Sequence, residues 1–143
     1  MKILFDTNII LDVLLNRVPF VEQSSQLVSA VEEHKIDGYL SATTITTIDY
    51  LLSKSFNRKT ARVQLQKLLT LFNIAEVNST VINQSLSSDF KDFEDAIQYF
   101  SGQYNNVDGL VTRNIKDFKS APSPIYSPDE LLGILLTTNS NSN

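Results

Sequence analysis

A short apolar run that ends at an acidic residue constrains the fold more than any other feature of this sequence. Residues 3–5 are Ile-Leu-Phe, a pattern typical of a strand covered on both faces, as in a parallel sheet. The apolar residues from Ile9 onward recur at helical spacing, so Asp6 to Asn8 would form the turn between strand and helix. Ligands of open α/β sheets bind at such turns. Asp6 is therefore the first candidate functional residue, although Asp6 or Asn8 could instead cap the helix.

The composition is that of one ordinary globular domain. The chain has 143 residues, 42% hydrophobic and 20% charged, which is enough for a real core. No apolar run approaches the roughly 20 residues that cross a bilayer, and no secretory signal pattern is visible, so we expect a cytoplasmic protein with no membrane partner. With no cysteine and one histidine, His34, thiol nucleophiles and multi-histidine metal sites are excluded.

The net charge of −4 hides two segments of opposite character. From Tyr50 to Ala75 there are five basic residues and no acid, whereas four acids and one lysine lie between Asp89 and Asp95. The basic segment could bind phosphate, and the acidic segment could bind a cation.

Predicted strands alternate with helices along the whole chain. Strands are expected at residues 3–5, 39–40, 74–77 and 107–112, with an edge strand at 125–126. This alternation predicts a parallel sheet between two helical layers, in the α/β class. We expect one domain over residues 1–136, followed by a disordered polar tail at residues 137–143.

The acidic segment contains a second candidate group. Asp92 and Asp95 are three residues apart and should share one helix face, whereas Glu94 should point elsewhere. Together with Asp6 they would repel one another unless a cation lay among them. Magnesium or manganese prefers such oxygen ligands, and can activate water and neutralise charge on a phosphate. The alternative is that these acids merely favour a helix N-terminus.

Three motifs in a fixed order resemble those of PIN-domain ribonucleases. They are Asp6-Thr7-Asn8 after the first strand, Asp95-Ala96 in a later helix, and Leu110-Val111-Thr112-Arg113-Asn114 followed by Asp117-Phe118. The order is similar in particular to VapC-like toxins of type II toxin–antitoxin pairs, over about residues 2 to 132. The resemblance implies a three-layer α/β/α fold with a five-stranded parallel sheet, and a Mg²⁺- or Mn²⁺-dependent site that cleaves RNA.

The resemblance also implies roles for individual residues. Asp6, Asp92 and Asp95 would hold the metal ion and act in catalysis. Asn114 stands where many members have aspartate, and it would orient water or metal beside Asn8. Asp117 could add charge or anchor its loop.

Two departures from the family pattern bear on activity. One is Asn114, at a position where many members have aspartate. The other is Thr47, at the position where the family usually has an acid on the helix after the second strand. The nearest acid, Asp49, is two residues further on and therefore about 200° around the helix. Weak metal binding or lost activity is the consequence if both departures are real.

The remaining hypotheses concern partners. Lys54, Arg58, Arg113 and Lys116 could hold an RNA backbone, or could simply be solvated. By resemblance, the partners are an RNA substrate, a cognate antitoxin protein and a second copy of the chain. The alternative to a toxin ribonuclease is a weak or inactive PIN-fold module that binds RNA or a protein. A receiver-like phosphoacceptor at Asp6 is a third hypothesis, but it lacks the expected acid pair.

Overall fold

The computed structural model describes residues 1–141 and the side chains up to Thr138. Its strands are β1 (Lys2–Phe5), β2 (Asp37–Ser41), β3 (Asn73–Ala75), β4 (Gly109–Val111) and β5 (Ile125–Tyr126). Its α-helices are α1 (Thr7–Leu14), α2 (Val21–Glu32), α3 (Ala42–Ser55), α4 (Arg58–Leu71), α5 (Ser79–Leu86), α6 (Phe93–Tyr104) and α7 (Pro128–Asn141), and a short 3-10 helix spans Ile115–Phe118. Within this part of the chain, no helix combines the length and apolar character needed to cross a membrane.

All five strands form one parallel sheet in the order β3-β2-β1-β4-β5. The predicted three-layer α/β/α fold is thereby confirmed, although β3 and β4 are shorter than predicted. Because β1 is central, its carboxyl end lies between the carboxyl ends of β2 and β4. The turns that follow these three strands therefore meet at one edge of the sheet.

The first strand is covered on both faces, as its apolar run predicted. Ile3 and Phe5 pack into a cluster with apolar residues of α1, α2, α3, α4 and α7. Leu4, which points to the opposite face, packs with Tyr99 of α6 and with Phe118. All three strand residues are fully buried, which fixes the position of the residue that follows them.

Three of the helices, α4, α5 and α7, begin at side-chain caps. Asn57 and Asn78 each accept a hydrogen bond from the backbone N–H three residues further on, at 2.8 and 3.0 Å. At the start of α7, Ser127 and Glu130 exchange two such bonds, the reciprocal pattern of a capping box.

The last helix runs into the segment for which the sequence predicts a disordered tail, and that interpretation of residues 137–143 stays a prediction. Helix α7 continues to Asn141, past the predicted domain end at residue 136. Thr137 and Thr138 donate their hydroxyls to the carbonyls of Gly133 and Ile134, each at 3.0 Å. Their polar groups are thus satisfied inside the helix, so polar composition alone did not end it. Residues 142–143 of the predicted tail lie outside the described residues.

Substituting alanine for Gly38 in β2 should destabilise the fold. A Cβ there would lie 2.6 Å from the Phe72 ring and 3.0 Å from Val31 Cγ2, and the ring itself packs edge-on against Phe5. Overpacking of this kind costs about 1–3 kcal/mol, to be measured as the loss in free energy of unfolding in urea.

Gly133→Ala is the matched control. A Cβ at Gly133 in α7 meets nothing within 4 Å, so alanine should stabilise the helix by up to about 1 kcal/mol. Equal effects of the two substitutions would contradict the packing described for β2.

Candidate active site

A cleft of about 290 Å³ opens at the carboxyl edge of the sheet. The turn after β1, helices α3 and α6, and the loop after β4 all contribute to it. Its lining is mainly polar and consists of Asp6, Thr7, Asn8, Leu11, Thr47, Leu51, Asp92, Glu94, Asp95, Gln98, Asn114 and Asp117. Remote parts of the chain thus bring five carboxylates into one concave surface.

Asp6 is held at the base of the cleft by two hydrogen bonds. Its Oδ2 accepts from the Thr112 hydroxyl at 2.7 Å, and its Oδ1 accepts from Gln98 Nε2 at 3.1 Å. Asp6 occupies the N-cap position of α1 but makes no side-chain cap hydrogen bond, so the interpretation of Asp6 as a simple cap is not supported. Burial raises the pKa of this carboxyl, against the lowering effect of the bonds from Thr112 and Gln98.

Gln98 was missed by the sequence analysis and organises the base of the cleft. Its Oε1 accepts from the Thr7 N–H at 3.0 Å and lies 3.2 Å from the Thr7 hydroxyl, which directs its Nε2 toward Asp6. The Thr7 hydroxyl also lies 2.8 Å from that of Thr44. The signal in the sequence is that Gln98 follows Asp95 by three residues and so shares its helix face.

Asp95 is an acid of the cleft whose pKa lies well above its ordinary value. Burial raises the pKa of its carboxyl to about 7, reinforced by the negative charges of Asp6, Asp92, Asp117 and Glu94 in that order. Asp6 and Asp95 line the same cleft, and Asp6 is the charge that contributes most to the raised pKa of Asp95 after burial.

Asp92 and Glu94 both line the cleft, although only Asp92 was predicted to do so. Asp92 lines the cleft, but its Oδ1 also caps α6 by accepting from the Asp95 N–H at 2.9 Å, as the alternative hypothesis proposed. Glu94 was expected to point elsewhere, which is wrong, because Glu94 precedes Gln98 by four residues and so shares the side of α6 that lines the cleft. Burial, followed by the charge of Asp92, raises the pKa of the Glu94 carboxyl.

On α3, the structure separates the two candidates. Thr47 lines the cleft, whereas Asp49 lies 3.4 Å from Arg62 Nε of α4 and does not line it. The helical rotation between the two positions accounts for the difference.

The loop after β4 brings two more predicted residues to the cleft, Asn114 and Asp117. The backbone N–H of Asn114 donates to the Thr112 hydroxyl at 3.1 Å, so one hydroxyl links this loop to Asp6. Asn8 of α1 also lines the cleft. Its Oδ1 accepts a hydrogen bond from Arg17 Nη1 at 3.2 Å.

The four basic residues predicted to hold RNA are scattered. Arg113 donates through Nε and Nη2 to the fully buried Asp12, at 2.9 and 3.4 Å, and its guanidinium lies 4.1 Å from the centre of the Phe20 ring. Arg113 therefore ties the β4 loop to α1. Lys116 lines an adjoining cavity of about 630 Å³, but Lys54 and Arg58 line neither this cavity nor the cleft.

The chemistry of the cleft fits a hard divalent cation. Carboxylates and the Asn114 carboxamide are the oxygen ligands that Mg²⁺ and Mn²⁺ prefer. Among residues 1–141, no group of three acidic, histidine or cysteine side chains could hold a metal ion by itself. Mg²⁺ usually keeps several waters and takes one or two carboxylates from the protein, so Asp6 and Asp95 with water satisfy that requirement.

The fold and the cleft define a class of protein: a parallel α/β/α sandwich with several carboxylates beyond its central strands. Residues 2–116 match the family model of the PIN domain. The chain therefore belongs to the PIN domain family, and the resemblance seen in the sequence is confirmed.

Individual relatives agree with this assignment. The chain is 29% identical over 133 residues to Ribonuclease VapC1 of Aquifex aeolicus (strain VF5), covering 90% of this chain and 86% of that protein. It is similar to a chain of a toxin–antitoxin complex from Klebsiella pneumoniae, with a TM-score of 0.66, 27% identity, and coverage of 87% and 96% of the two chains. VapBC2 from Rickettsia felis, bound to a promoter DNA fragment, shares the fold at a TM-score of 0.65 and 18% identity, covering 89% of this chain and 98% of that chain.

Neutralising Asp95 should stabilise the metal-free protein at high pH. Because the pKa of Asp95 is raised from 3.8 to about 7, the folded state binds more protons than the unfolded state between these values. Stability therefore falls as pH rises through this window. In EDTA, Asp95→Asn should raise the Tm at pH 8, and the gain should shrink as the pH is lowered toward 5.

Asp37→Asn is the control, because Asp37 is an exposed acid at the opposite edge of the sheet. If Asp95→Asn left the Tm at pH 8 unchanged or lower, the repulsion described for the cleft would be contradicted.

Proposed function

We propose that this chain is a divalent-metal-dependent endoribonuclease. The observation that carries the proposal is that Asp6 and Asp95, which are far apart in the sequence, share one cleft in which the charge of Asp6 raises the pKa of Asp95. Among the described residues, no lysine or arginine lines this cleft. The charge of Arg113 lowers the pKa of Asp6, but it does not outweigh the effect of burial. A divalent cation would relieve the repulsion between the carboxylates. RNA as the substrate is supported by the similarity to Ribonuclease VapC1.

Asp6 and Asp95 would hold the cation, with the Asn114 carboxamide as a neutral oxygen ligand and Asp92 adding negative charge at the rim. A bound Mg²⁺ or Mn²⁺ supplies charge neutralisation at the phosphate and lowers the pKa of water. The protein supplies the positioning that this chemistry requires.

The hydrogen bonds of the cleft determine which carboxylate oxygens remain available to bind a cation. Thr112 and Gln98 each engage one oxygen of Asp6, and a carboxylate with about four lone-pair sites keeps others free for a ligand. Asp95 or Asp6 would accept the proton of the attacking water. Asn8, oriented by Arg17, would position water beside them.

We further propose that the chain is the toxin of a toxin–antitoxin pair. The similarity to a chain of the Klebsiella pneumoniae toxin–antitoxin complex supports a cognate antitoxin as a protein partner. A second copy of the chain is the other proposed partner, by resemblance to the family.

The purified protein should cleave RNA in Mn²⁺ or Mg²⁺ and lose this activity in EDTA. Asp6→Asn should lower the rate at least ten- to a hundredfold, since even partners outside the ligand shell typically contribute that much. Cleavage of fluorescent single-stranded and structured RNAs provides the measurement, with the Tm of each variant reporting on folding.

Asp37→Asn should retain full activity in the same assay. Equal cleavage by wild type and Asp6→Asn would remove Asp6 from the mechanism. A folded wild type that binds RNA without cutting it would favour the alternative, an inactive PIN-fold binding module, which is motivated by Thr47 and Asn114 at the expected acidic positions.

Induced expression of the wild type in a bacterial host should arrest growth, whereas Asp6→Asn should not at the same protein level. Growth curves with immunoblots of both proteins provide the measurement. Normal growth with abundant folded wild type would contradict the toxin assignment without affecting the nuclease assignment.

A further inference from the structure

We propose that a second cavity, beside the cleft, binds a phosphate of the RNA backbone. The cavity has a volume of about 200 Å³ and lies where α2, the loop after β4 and the start of α7 meet. Its walls include Phe20, Ser24, Arg113 and Asp129. The inference rests on the proposed function for the identity of the RNA, whereas the affinity of the cavity for phosphate follows from its own side chains.

A buried hydroxyl of this cavity lacks a hydrogen-bond partner. Ser24 of α2 is 1% exposed, and its Oγ forms no hydrogen bond within the part of the chain that the structure describes. No other buried side-chain nitrogen or oxygen of the described residues is in this position. Since buried polar groups are almost always paired, the hydroxyl of Ser24 marks a place where a ligand oxygen would complete the bonding.

Arg113 brings positive charge and further donors to the same cavity. Its Nε and Nη2 donate to Asp12, whereas its Nη1 forms no hydrogen bond or ion pair among the described residues. Arg17 Nη1 also lies 3.6 Å from Asp12 Oδ1, so one buried carboxylate faces two guanidinium groups. One positive charge is therefore not balanced by Asp12, and guanidinium groups are well suited to phosphate oxygens.

The start of α7 adds a backbone donor. This helix has 14 residues, and the positive end of its dipole lies at the cavity. The N–H of Asp129 forms no hydrogen bond within residues 1–141, and such N–H groups bind phosphates. The Asp129 carboxylate, which accepts a hydrogen bond from Gln23 Nε2, opposes an anion and should limit its affinity.

The cavity and the cleft share the loop after β4. Arg113 lies between Thr112, which donates to Asp6, and Asn114, which lines the cleft. An RNA strand whose scissile phosphate lies in the cleft would therefore place a neighbouring phosphate in the cavity. The cavity would contribute to the binding of RNA and not to the chemical step.

The first test titrates the protein in EDTA with inorganic phosphate and follows the N–H groups by NMR. The Arg113 Nε–H and Asp129 N–H signals should shift to saturation. Ser24→Ala should weaken this binding about tenfold, because it removes a hydrogen bond to a charged ligand. Ser25→Ala is the matched control and should have no effect, since Ser25 is the next residue of α2 and does not line the cavity.

The second test removes the opposing charge. Asp129→Asn should tighten phosphate binding about two- to fivefold, the range of exposed charge pairs. Glu130→Gln is the matched control, because it removes a charge from the same helical turn, and glutamine also completes a capping box. Glu130 does not line the cavity, so its substitution should have a smaller effect.

The third test extends the comparison to RNA. Ser24→Ala should raise KM for cleavage about tenfold and leave kcat unchanged, since the phosphate contact is the same in the ground and transition states. Asp129→Asn should lower KM. In a protein that binds RNA without cutting it, the Kd for the same RNA replaces KM.

The outcomes separate this inference from the proposed function. Phosphate that leaves the Arg113 and Asp129 signals unmoved, or that binds equally to Ser24→Ala and Ser25→Ala, overturns the cavity as an anion site. Phosphate binding with an unchanged KM or Kd for RNA in both cavity variants identifies a site for free phosphate alone and overturns the RNA assignment. A protein that binds phosphate and RNA through the cavity but does not cleave RNA overturns the proposed nuclease and supports the inference.

Discussion

The site depends on a carboxylate that is held inside the protein at the end of a buried strand. Asp6 follows a strand packed on both faces, and its two oxygens are engaged by Thr112 and Gln98 from opposite sides. These bonds oppose the effect of burial, which raises the pKa of the carboxyl. They also join the end of β1 to the β4 loop and to α6. The hydrogen bonds to the Asp6 carboxylate therefore hold the walls of the cleft together.

The polar groups around this carboxylate form a connected network. The Thr112 hydroxyl contacts both Asp6 and the N–H of Asn114, while Gln98 bonds Asp6 and Thr7. The ion pair between Arg113 and Asp12 joins the β4 loop to α1. The acidic residues therefore meet on elements that hydrogen bonds hold together, and a cation would offset their repulsion.

The sequence predicted those features that depend on periodicity and chain order. Parallel strands end at one edge, so placing Asp6 and Asn114 after strands was sufficient to bring them together. Glu94 was misplaced because its direction was predicted from Asp92 and Asp95 alone, whereas Gln98, four residues after Glu94, also lines the cleft. Gln98 was missed because its one signal, a position three residues after Asp95, is not distinctive for an amide, and its role depends on contact with Thr7 across the fold.

The most direct measurement is a crystal structure of the protein soaked in Mn²⁺, with anomalous scattering used to locate the ion. We expect one strong anomalous peak in the cleft, within ligand distance of an oxygen of Asp6 and one of Asp95. An ordered Mn²⁺ found only elsewhere, or a cleft without an ion at saturating Mn²⁺, would contradict it.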